Sequence, residues 1–516
     1  MDNAQIVSKL NVLPDVQRRV SMLLDRIVTG SDENFVSPYV MERTEDQVLL
    51  GWDYQYERNA FKVNEVLDDL EWETNRPKFG TMSRAEPWQG RRETLVDSFE
   101  PAKMNRGFAP FDLTRPLSLR PLSVQTAVGF LKNDSNSGLP QYTKKKNVKD
   151  SLMGYTLEDL YNIVADSFNN DNPLVEIACV LFTRTQELGK TRNVWGFSVL
   201  ATLFEMTFYR PILDIQAKQT WRSALGSPDA VSAAITRIID YAIMNRLTVL
   251  SIDFKRYDNS CKGHVIDPAF DTIIRAFQRP FHRHLELIKL FFKSCRIVTP
   301  EGIWSGNHGV PSGSTFTNEV DSIIQYGIAL ECKDIAKVEF CQVQGDDGVY
   351  LCHDAKLVKE HFTNYNLDVS DIKSVAAEKY CIFLQSLFHD DYRDEDGVIN
   401  GIYPTYRALN RIIHLERFDD FSEYGIKGSD YFSIRTISIL ENCKHHPMFE
   451  EFVAYVWSLD KYRLEFSAQG LANYVRKLAI QEGKDITFRN WAYGSNISGM
   501  KSFKSVEVIN RLNSSV

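Results

Sequence analysis

The chain has 516 residues, 43% hydrophobic and 25% charged, with a formal net charge of -8; this is the balance of a folded globular protein and excludes disordered, fibrous and collagen-like classes. No run approaches the ~18 consecutive apolar residues that a membrane-spanning helix needs, and the start MDNAQIVSKLNVLPDV lacks a basic-then-apolar leader, so neither secretion nor membrane insertion is expected. The eight cysteines form no CxxC pair, which removes the common zinc and redox motifs and fits a reducing compartment. Cys443 with His445 and His446 reads as a surface turn, not a metal site.

Residues 1–100 are mostly helical in pattern and acidic, with 12 Lys and Arg against 19 Asp and Glu. The remainder is close to neutral, and residues 101–200 carry 12 basic against 9 acidic residues, including Lys144, Lys145 and Lys146; a near-neutral bulk of this kind can still hold a basic channel for a polyanion. Residues 101–121 are irregular and punctuated by proline. Residues 151–245 read as largely helical, with Val231, Ile235, Ile238, Ile239 and Ala242 on one stripe.

Strands are expected between 246 and 400. Residues 247–253 (LTVLSID) are apolar and β-branched and end in Asp253; residues 337–344 (KVEFCQVQ), a turn GDDG at 345–348, and 349–352 (VYLC) read as a hairpin with Asp-Gly supplying the positive φ angles. From 401 the pattern is again mainly helical, and 495–516, rich in Ser, Asn and Lys, is expected to be a mobile tail.

If the two strand regions share a sheet, Asp253 and the pair Asp346 and Asp347 converge. Hard divalent ions take oxygen ligands and retain waters, so two or three carboxylates plus substrate phosphates suffice to hold them, and a pair of such ions supports in-line nucleotidyl transfer. Asp258 stands five residues beyond Asp253, where it can read a sugar hydroxyl. Between the strands, GVPSGSTFTNEVD at 309–321 is a Gly-rich loop entering a helix, with Thr317 and Asp321 on one face and Asn318 within a turn of Asp321. Such a loop allows close backbone approach to a template, and the polar face suits a ribose 2′-OH.

The order DxxxxD, SGxxxT, GDD resembles palm motifs A, B and C of viral RNA-dependent RNA polymerases. The strings GVPSGSTFTNEVDS and VQGDDGVY are most similar to the enzymes of small double-stranded RNA viruses, picobirnaviruses first and partitiviruses second. This resemblance implies an α+β right hand of fingers, palm and thumb, with an antiparallel palm sheet flanked by helices. It divides the chain into an N-terminal region at 1–100 bridging fingers and thumb, fingers at 101–245 and 266–300, palm at 246–265 and 301–400, and thumb with tail at 401–516.

The same resemblance implies the roles. Asp253, Asp346 and Asp347 would be catalytic and hold Mg²⁺, with Mn²⁺ as the alternative. Asp258, Ser312, Gly313, Thr317, Asn318 and Asp321 would select the ribonucleotide. FTRTQELGKTRNV at 182–194 is similar to motif F, so Arg184, Lys190 and Arg192 would meet the incoming triphosphate. Ser135, Gly138 and Pro140 of DSNSGLP, followed by Lys144, resemble the template-side motif G. Residues 367–374 look like motif D, with Lys373 as general acid and Lys379 as its rival, and 383–388 like the motif E hairpin. The implied activity is RNA-directed RNA synthesis from NTPs on an RNA template, replicating and transcribing a double-stranded RNA genome. Initiation would be de novo, with the tail or a thumb loop as platform. The enzyme would reside inside the viral particle beside capsid protein and in the host cytoplasm. A reverse transcriptase fits poorly, because Gly345 stands where an aromatic is usual. A catalytically silent RNA-binding or capsid-assembly protein on the same fold is the alternative from another class.

Overall fold

The computed structural model describes residues 2–168, 177–335, 340–482 and 497–515. Its centre is a four-stranded antiparallel sheet in the spatial order Gln342–Gln344, Asp347–Cys352, Thr248–Ile252, Val375–Ala377. The sheet is buried on both faces, and the period-two alternation of a strand decides which side chain goes where. Leu250, Ile252 and Tyr350 enter one core with Ile324 and Ile328 of helix Thr317–Leu330 and Phe362 of helix Ala355–Thr363. Val249, Val349 and Leu351 enter another with Ile235, Ile238 and Ile239 of helix Pro228–Asn245. That helix begins at a Ser227 cap, whose hydroxyl accepts from the Ala230 N–H, with Pro228 in the first turn.

The segment 151–245, expected to be largely helical, contains a hairpin. Cys179–Thr185 and Thr191–Gly196 pair antiparallel, and Cys179–Thr185 also pairs in parallel with Ile297–Thr299, giving a second four-stranded sheet. Its apolar residues Val180, Leu181 and Trp195 are buried. Their short run fits a strand as well as a helix, which is why helical spacing nearby misled the reading.

A separate core gathers the C-terminal helices, Thr405–Ile413, Gly428–Glu441 and Phe449–Leu459, around Trp52 and Tyr56 of helix Glu45–Arg58. Residues 1–100 therefore divide between two cores: Val16, Val20, Leu24 and Ile27 of helix Pro14–Thr29 pack with Leu181 and its neighbours, whereas Val48, Trp52 and Tyr56 pack with Phe452 and Tyr455.

Three expectations change. The tail is not loose where it is described: Lys504–Ser514 is a helix whose Val506, Val508 and Ile509 are buried in the C-terminal core, with the Ser505 N–H and hydroxyl donating to Glu441. This helix cannot serve as an initiation platform without leaving that core; residues 495, 496 and 516 lie outside the described residues. The turn at 440–446 is interior. Cys443 is buried, and His446 Nε2 lies 2.8 Å from Glu71 Oε1. All eight cysteines are free thiols. Finally, among the described residues the first arm of the GDD hairpin is a strand over Gln342–Gln344; residues 337–339 of the expected arm lie outside the described residues.

Candidate active site

Asp253 directly follows the strand Thr248–Ile252, and Asp347 opens the strand Asp347–Cys352. Because Ile252 faces Gly348 across the ladder, Asp253 and Asp347 emerge at the same end of the sheet. Gln344 pairs with Asp347, which leaves Gly345 and Asp346 as a two-residue turn. The positive φ belongs to Gly345 (63°), not to an Asp-Gly step at 347–348. Glycine at the first central position is what a tight hairpin of this length favours.

The turn is clamped from below. Gly345 N–H donates to Ser322 Oγ at 2.8 Å, and Gln325 Nε2 donates to the Gly345 carbonyl at 2.8 Å. Tyr350 OH in turn donates to Gln325 Oε1 at 2.6 Å. Beside them Arg222, fully buried, donates to Glu319 at 2.8 Å, to Asn318 Oδ1 at 2.9 Å and to Gln344 at 3.1 Å. Helix Thr317–Leu330 thus fixes the position of the GDD turn, and Asn318 commits its side-chain carbonyl to Arg222.

The carboxylates repel one another. Burial, then the charges of Asp346 and Asp253, push Asp347 up to about 7, against Arg407. Asp346 is reached by solvent, yet the cleft walls crowd it; that desolvation and Asp253 raise its carboxyl, with Arg192 opposing. Asp258, on the short helix Tyr257–Ser260, is likewise pushed up to about 7 by burial and Asp346. Asp321 is buried with Oδ1 unpartnered, and burial followed by Asp258 and Asp346 holds its carboxyl well above the ordinary range. Unpaired buried acid is expensive in a resting fold, and its concentration here marks a site prepared for cations and hydroxyl donors.

Cations surround this floor. Lys373 Nζ stands 3.8 Å from Asp253, and Ser374 Oγ accepts from the Asp253 N–H. The rival, Lys379, lies at the Tyr380–Phe383 hairpin, where its carbonyl accepts from Asp390 and its charge acts on His389. Lys190 is depressed by burial, then by Arg192 and Lys373, and feels Asp253. Arg184 pairs across the hairpin with Arg192 but turns to Glu416 at 4.0 Å, lining a crevice of about 270 Å³ with Arg411, Arg417 and Arg435.

The loop at 309–316 is fastened by different contacts from those expected. A Cβ on Gly313 would come within 1.6 Å of the Trp195 carbonyl, and one on Gly309 within 2.3 Å of the Asp258 carbonyl. These glycines bring the loop against the strand Thr191–Gly196 and against the backbone of Asp258. Ser312 Oγ lies 3.5 Å from the Asn193 carbonyl, and Thr317 Oγ1 donates to the Pro311 carbonyl at 2.9 Å. Beneath, buried Glu205 accepts from Ser314 Oγ at 2.7 Å and Thr315 N–H at 2.9 Å; burial raises it to about 7 against those bonds.

The segment carrying Ser135, Gly138 and Pro140 packs behind this loop. A Cβ on Gly138 (φ 63°) would meet the Phe197 carbonyl at 2.3 Å, and Leu139–Pro140 is cis. Ser135 Oγ donates to the Lys132 carbonyl, and Lys144 projects outward 4.0 Å from Glu423. The segment also reaches the C-terminal core: Asn133 N–H donates to the Gln481 carbonyl and Tyr424 OH to Asp134, both at 2.9 Å.

Residues 98–398 match the family described as viral RNA-dependent RNA polymerase. The chain belongs to that family. This polymerase is 26% identical over 488 residues to a potential RNA-dependent RNA polymerase of a human picobirnavirus (strain Human/Thailand/Hy005102/-), an alignment covering 87% of this chain and 86% of the relative. Its fold superposes on the crystal structure of the RNA-dependent RNA polymerase of a human picobirnavirus with a TM-score of 0.77 at 23% identity, covering 98% and 99% of the two chains. An insertion-loop deletion mutant of that polymerase gives 0.76 at 22%, with the same coverage. The right-hand architecture and the picobirnavirus-like character are thereby established, and with them an RNA-directed RNA polymerase, a nucleotidyltransferase.

Sequence reasoning singled out none of Glu205, Arg222, Gln325 or Arg407. The first three act by supporting other residues, and nothing in their spacing advertises that. Arg407 lies in helix Thr405–Ile413, beyond the motifs, and only the fold carries it to Asp347.

Proposed function

We propose that the polymerase replicates and transcribes a double-stranded RNA viral genome by two-metal nucleotidyl transfer from NTPs, starting strands de novo. The observation that carries this reading is the convergence of Asp253, Asp346 and Asp347 at one end of the sheet beneath Lys190, Arg192 and Lys373. The donor set suits Mg²⁺, with Mn²⁺ as the alternative: the ligands are hard oxygens, and the mutual repulsion that raises Asp346 and Asp347 is what a divalent cation relieves. When bound, the ions would activate the attacking hydroxyl and stabilise the leaving oxygen.

The chain's own groups do the rest. Arg192 and Lys190 hold the triphosphate against the carboxylate floor, with Arg184 at its outer side. Lys373, beside Asp253, delivers a proton to the departing pyrophosphate. Asp258 and Asp321 read the ribose hydroxyls, in a pocket shaped by Ser312, Gly313, Thr317 and Asn318. Ser135, Gly138, Pro140 and Lys144 guide the template. Fingers at 101–245 and 266–300, palm at 246–265 and 301–400, and thumb from 401 follow this division, with residues 1–100 bridging fingers and thumb. De novo initiation draws support from the ties between fingers and thumb, Tyr424 to Asp134 and Asn133 to Gln481, which favour a threaded single strand over a preformed duplex. Work inside the particle, next to capsid protein, and in the host cytoplasm follows from a double-stranded genome. The intact carboxylates weigh against a silent RNA-binding or capsid-assembly role.

Labelled-nucleotide incorporation on a short single-stranded RNA, without primer and with Mg²⁺ or Mn²⁺, tests the reading against Asp346→Asn. Template-dependent product lost in the variant is expected. Product only from annealed primers would overturn de novo initiation, and unchanged synthesis by Asp346→Asn would overturn the metal assignment.

A further inference from the structure

Helix Trp88–Phe99, in the N-terminal region, carries none of the polymerase motifs, yet its C-terminal end meets the segment around Asp258. Three side chains of that segment, spaced by three residues, donate to it. Arg256 Nη1 donates to Asp97 Oδ2, Asn259 Nδ2 to the Thr94 carbonyl at 2.8 Å, and Lys262 Nζ to the Asp97 carbonyl at 2.9 Å and to the Ser98 carbonyl. The last carbonyls of a helix have no partner within it and carry the negative end of its dipole, so a cation fits them. Lys262 is buried there, and burial brings its ammonium down to about 8 against Cys261 and Glu100.

The same helix end holds the loop at 309–316. Gly309 N–H donates to the Ser98 carbonyl and Val310 N–H to the Asp258 carbonyl, both at 2.8 Å. At its other end the helix is fastened to the second sheet. Trp88 Nε1 and Arg92 Nε donate to Glu301 at 2.9 and 2.6 Å, and Arg91 and Asn193 exchange hydrogen bonds, from Arg91 Nη1 to Asn193 Oδ1 at 3.3 Å and from Asn193 Nδ2 to the Arg91 carbonyl at 3.2 Å. Asp258 itself sits on a helix of four residues, Tyr257–Ser260, too short to hold its own shape. Arg256, which precedes that helix, has left-handed backbone (φ 53°, ψ 49°), a conformation that a residue other than glycine keeps only where its surroundings impose it. The ties at 256 and 259 bracket Asp258, and on the palm side Tyr257 OH donates to the Asp321 carbonyl at 2.9 Å.

We propose that Lys262, with Asn259 and Arg256, positions Asp258 by fastening it to helix Trp88–Phe99, and that this attachment sets how strictly the polymerase separates ribonucleotides from 2′-deoxyribonucleotides. The inference rests on the ribose reading of Asp258 argued above and deepens it. A carboxyl tells a hydroxyl from a hydrogen only when it is held to about 0.5 Å of its bonding place. The short helix cannot supply that precision, and the long one, anchored at both ends, can. Lys262 touches no nucleotide; it is a positioning residue, and its loss lets Asp258 drift without removing any group that meets the substrate.

The test is primer extension by the full chain on an RNA template, with kcat/KM measured for a ribonucleoside triphosphate and for its 2′-deoxy counterpart. Lys262→Met should lower the ratio of the two about tenfold, the effect of one hydrogen bond to the sugar, through a higher KM for the ribonucleotide and little change for the deoxynucleotide. Lys262→Arg, which keeps the donors, should restore most of the ratio. Asn259→Ala and Arg256→Ala, at partly exposed positions, should each lower it a few-fold, and they decide the matter if Lys262→Met does not fold. Asp258→Asn should remove most of the discrimination by itself, and adding Lys262→Met to it should change the ratio little further. Variants at 262 and 259 that slow both nucleotides equally, or an additive loss in the double variant, would reduce the attachment to a structural support. A native ratio in Asp258→Asn would sink the ribose reading of Asp258; a collapsed ratio there beside native ratios in the Lys262, Asn259 and Arg256 variants would sink the positioning alone.

Discussion

Where the N-terminal region joins the C-terminal helices, buried charge is matched group by group. Glu71 accepts from the Thr405 N–H and hydroxyl and the Tyr406 N–H and lies against His446, while Asp53 takes a bidentate Arg76 and the Tyr406 hydroxyl. At the end of the palm sheet, Asp253, Asp258, Asp321, Asp346 and Asp347 crowd together, Asp321 Oδ1 is unpartnered, and the nearest cations stand at the rim. The first arrangement holds pieces of chain together. The second stores repulsion that only a substrate, a metal or a proton relieves, and the two respond in opposite ways when a carboxylate is removed.

The largest effect is expected on the floor. Asp253→Asn and Asp347→Asn should each lower RNA synthesis by about 10³-fold or more, roughly 4 kcal/mol of transition-state stabilisation. Asp347→Asn should at the same time raise the melting temperature at pH 8, because a charge crowded by Asp346 and Asp253 is gone. A fall in melting temperature would mean that Asp347 is a structural partner and would break the contrast. At the joint, Glu71→Ala should cost about 3–5 kcal/mol by leaving His446 and two buried N–H groups unmatched, seen as a melting temperature several degrees lower, with synthesis per folded molecule preserved. Equal loss of synthesis and stability would show that the joint also shapes the cleft.

Glu205 combines the two arrangements, being hydrogen-bonded yet raised to about 7. Its carboxyl is nearer 4.5 in the unfolded chain, so the folded form holds the extra proton between those values. Stability is therefore fully supported at low pH and declines as pH rises from about 4.5 to 7, by about 3 kcal/mol for a shift of this size. Glu205→Gln should flatten that part of the stability profile, measured by thermal denaturation from pH 5 to 8. An unchanged slope would place the titration in the aspartates alone.

The floor was legible because its chemistry needs fixed residue types at fixed places. Asp253 ends a β-branched run and GDD makes a hairpin turn, so the strand pairing brings them together, and the ordered motifs limited the choice of fold. Strand bounds shifted only slightly, to Thr248–Ile252 and Asp347–Cys352. The supports were not legible. Arg222, Glu205 and Gln325 meet their partners across 20 to 122 residues of chain, and no local period records such a contact. The tail misled for a related reason: its Ser and Asn content suggested mobility, whereas Val506, Val508 and Ile509 supply an apolar face buried in the core of the C-terminal helices. His446 looked superficial because its partner Glu71 lies far away in sequence.

The smallest effect concerns Lys144, a cation neither buried nor firmly paired. It stands 4.0 Å from Glu423, and both side chains are about half exposed, so the pair contributes little to the fold. Its neighbour Lys145 is crowded by protein and lowered to about 8 by burial and then by Lys132 and Lys149, which suits a packing role. If Lys144 guides the template, Lys144→Ala should leave the melting temperature unchanged and weaken single-stranded RNA binding a few-fold. The slope of log affinity against log salt should also become shallower by about 0.7, the release of one counterion from a single strand. Lys145→Ala should instead lower the melting temperature. A salt slope untouched by Lys144→Ala would remove this residue from the template path and leave the template side to the backbone around Ser135 and Gly138.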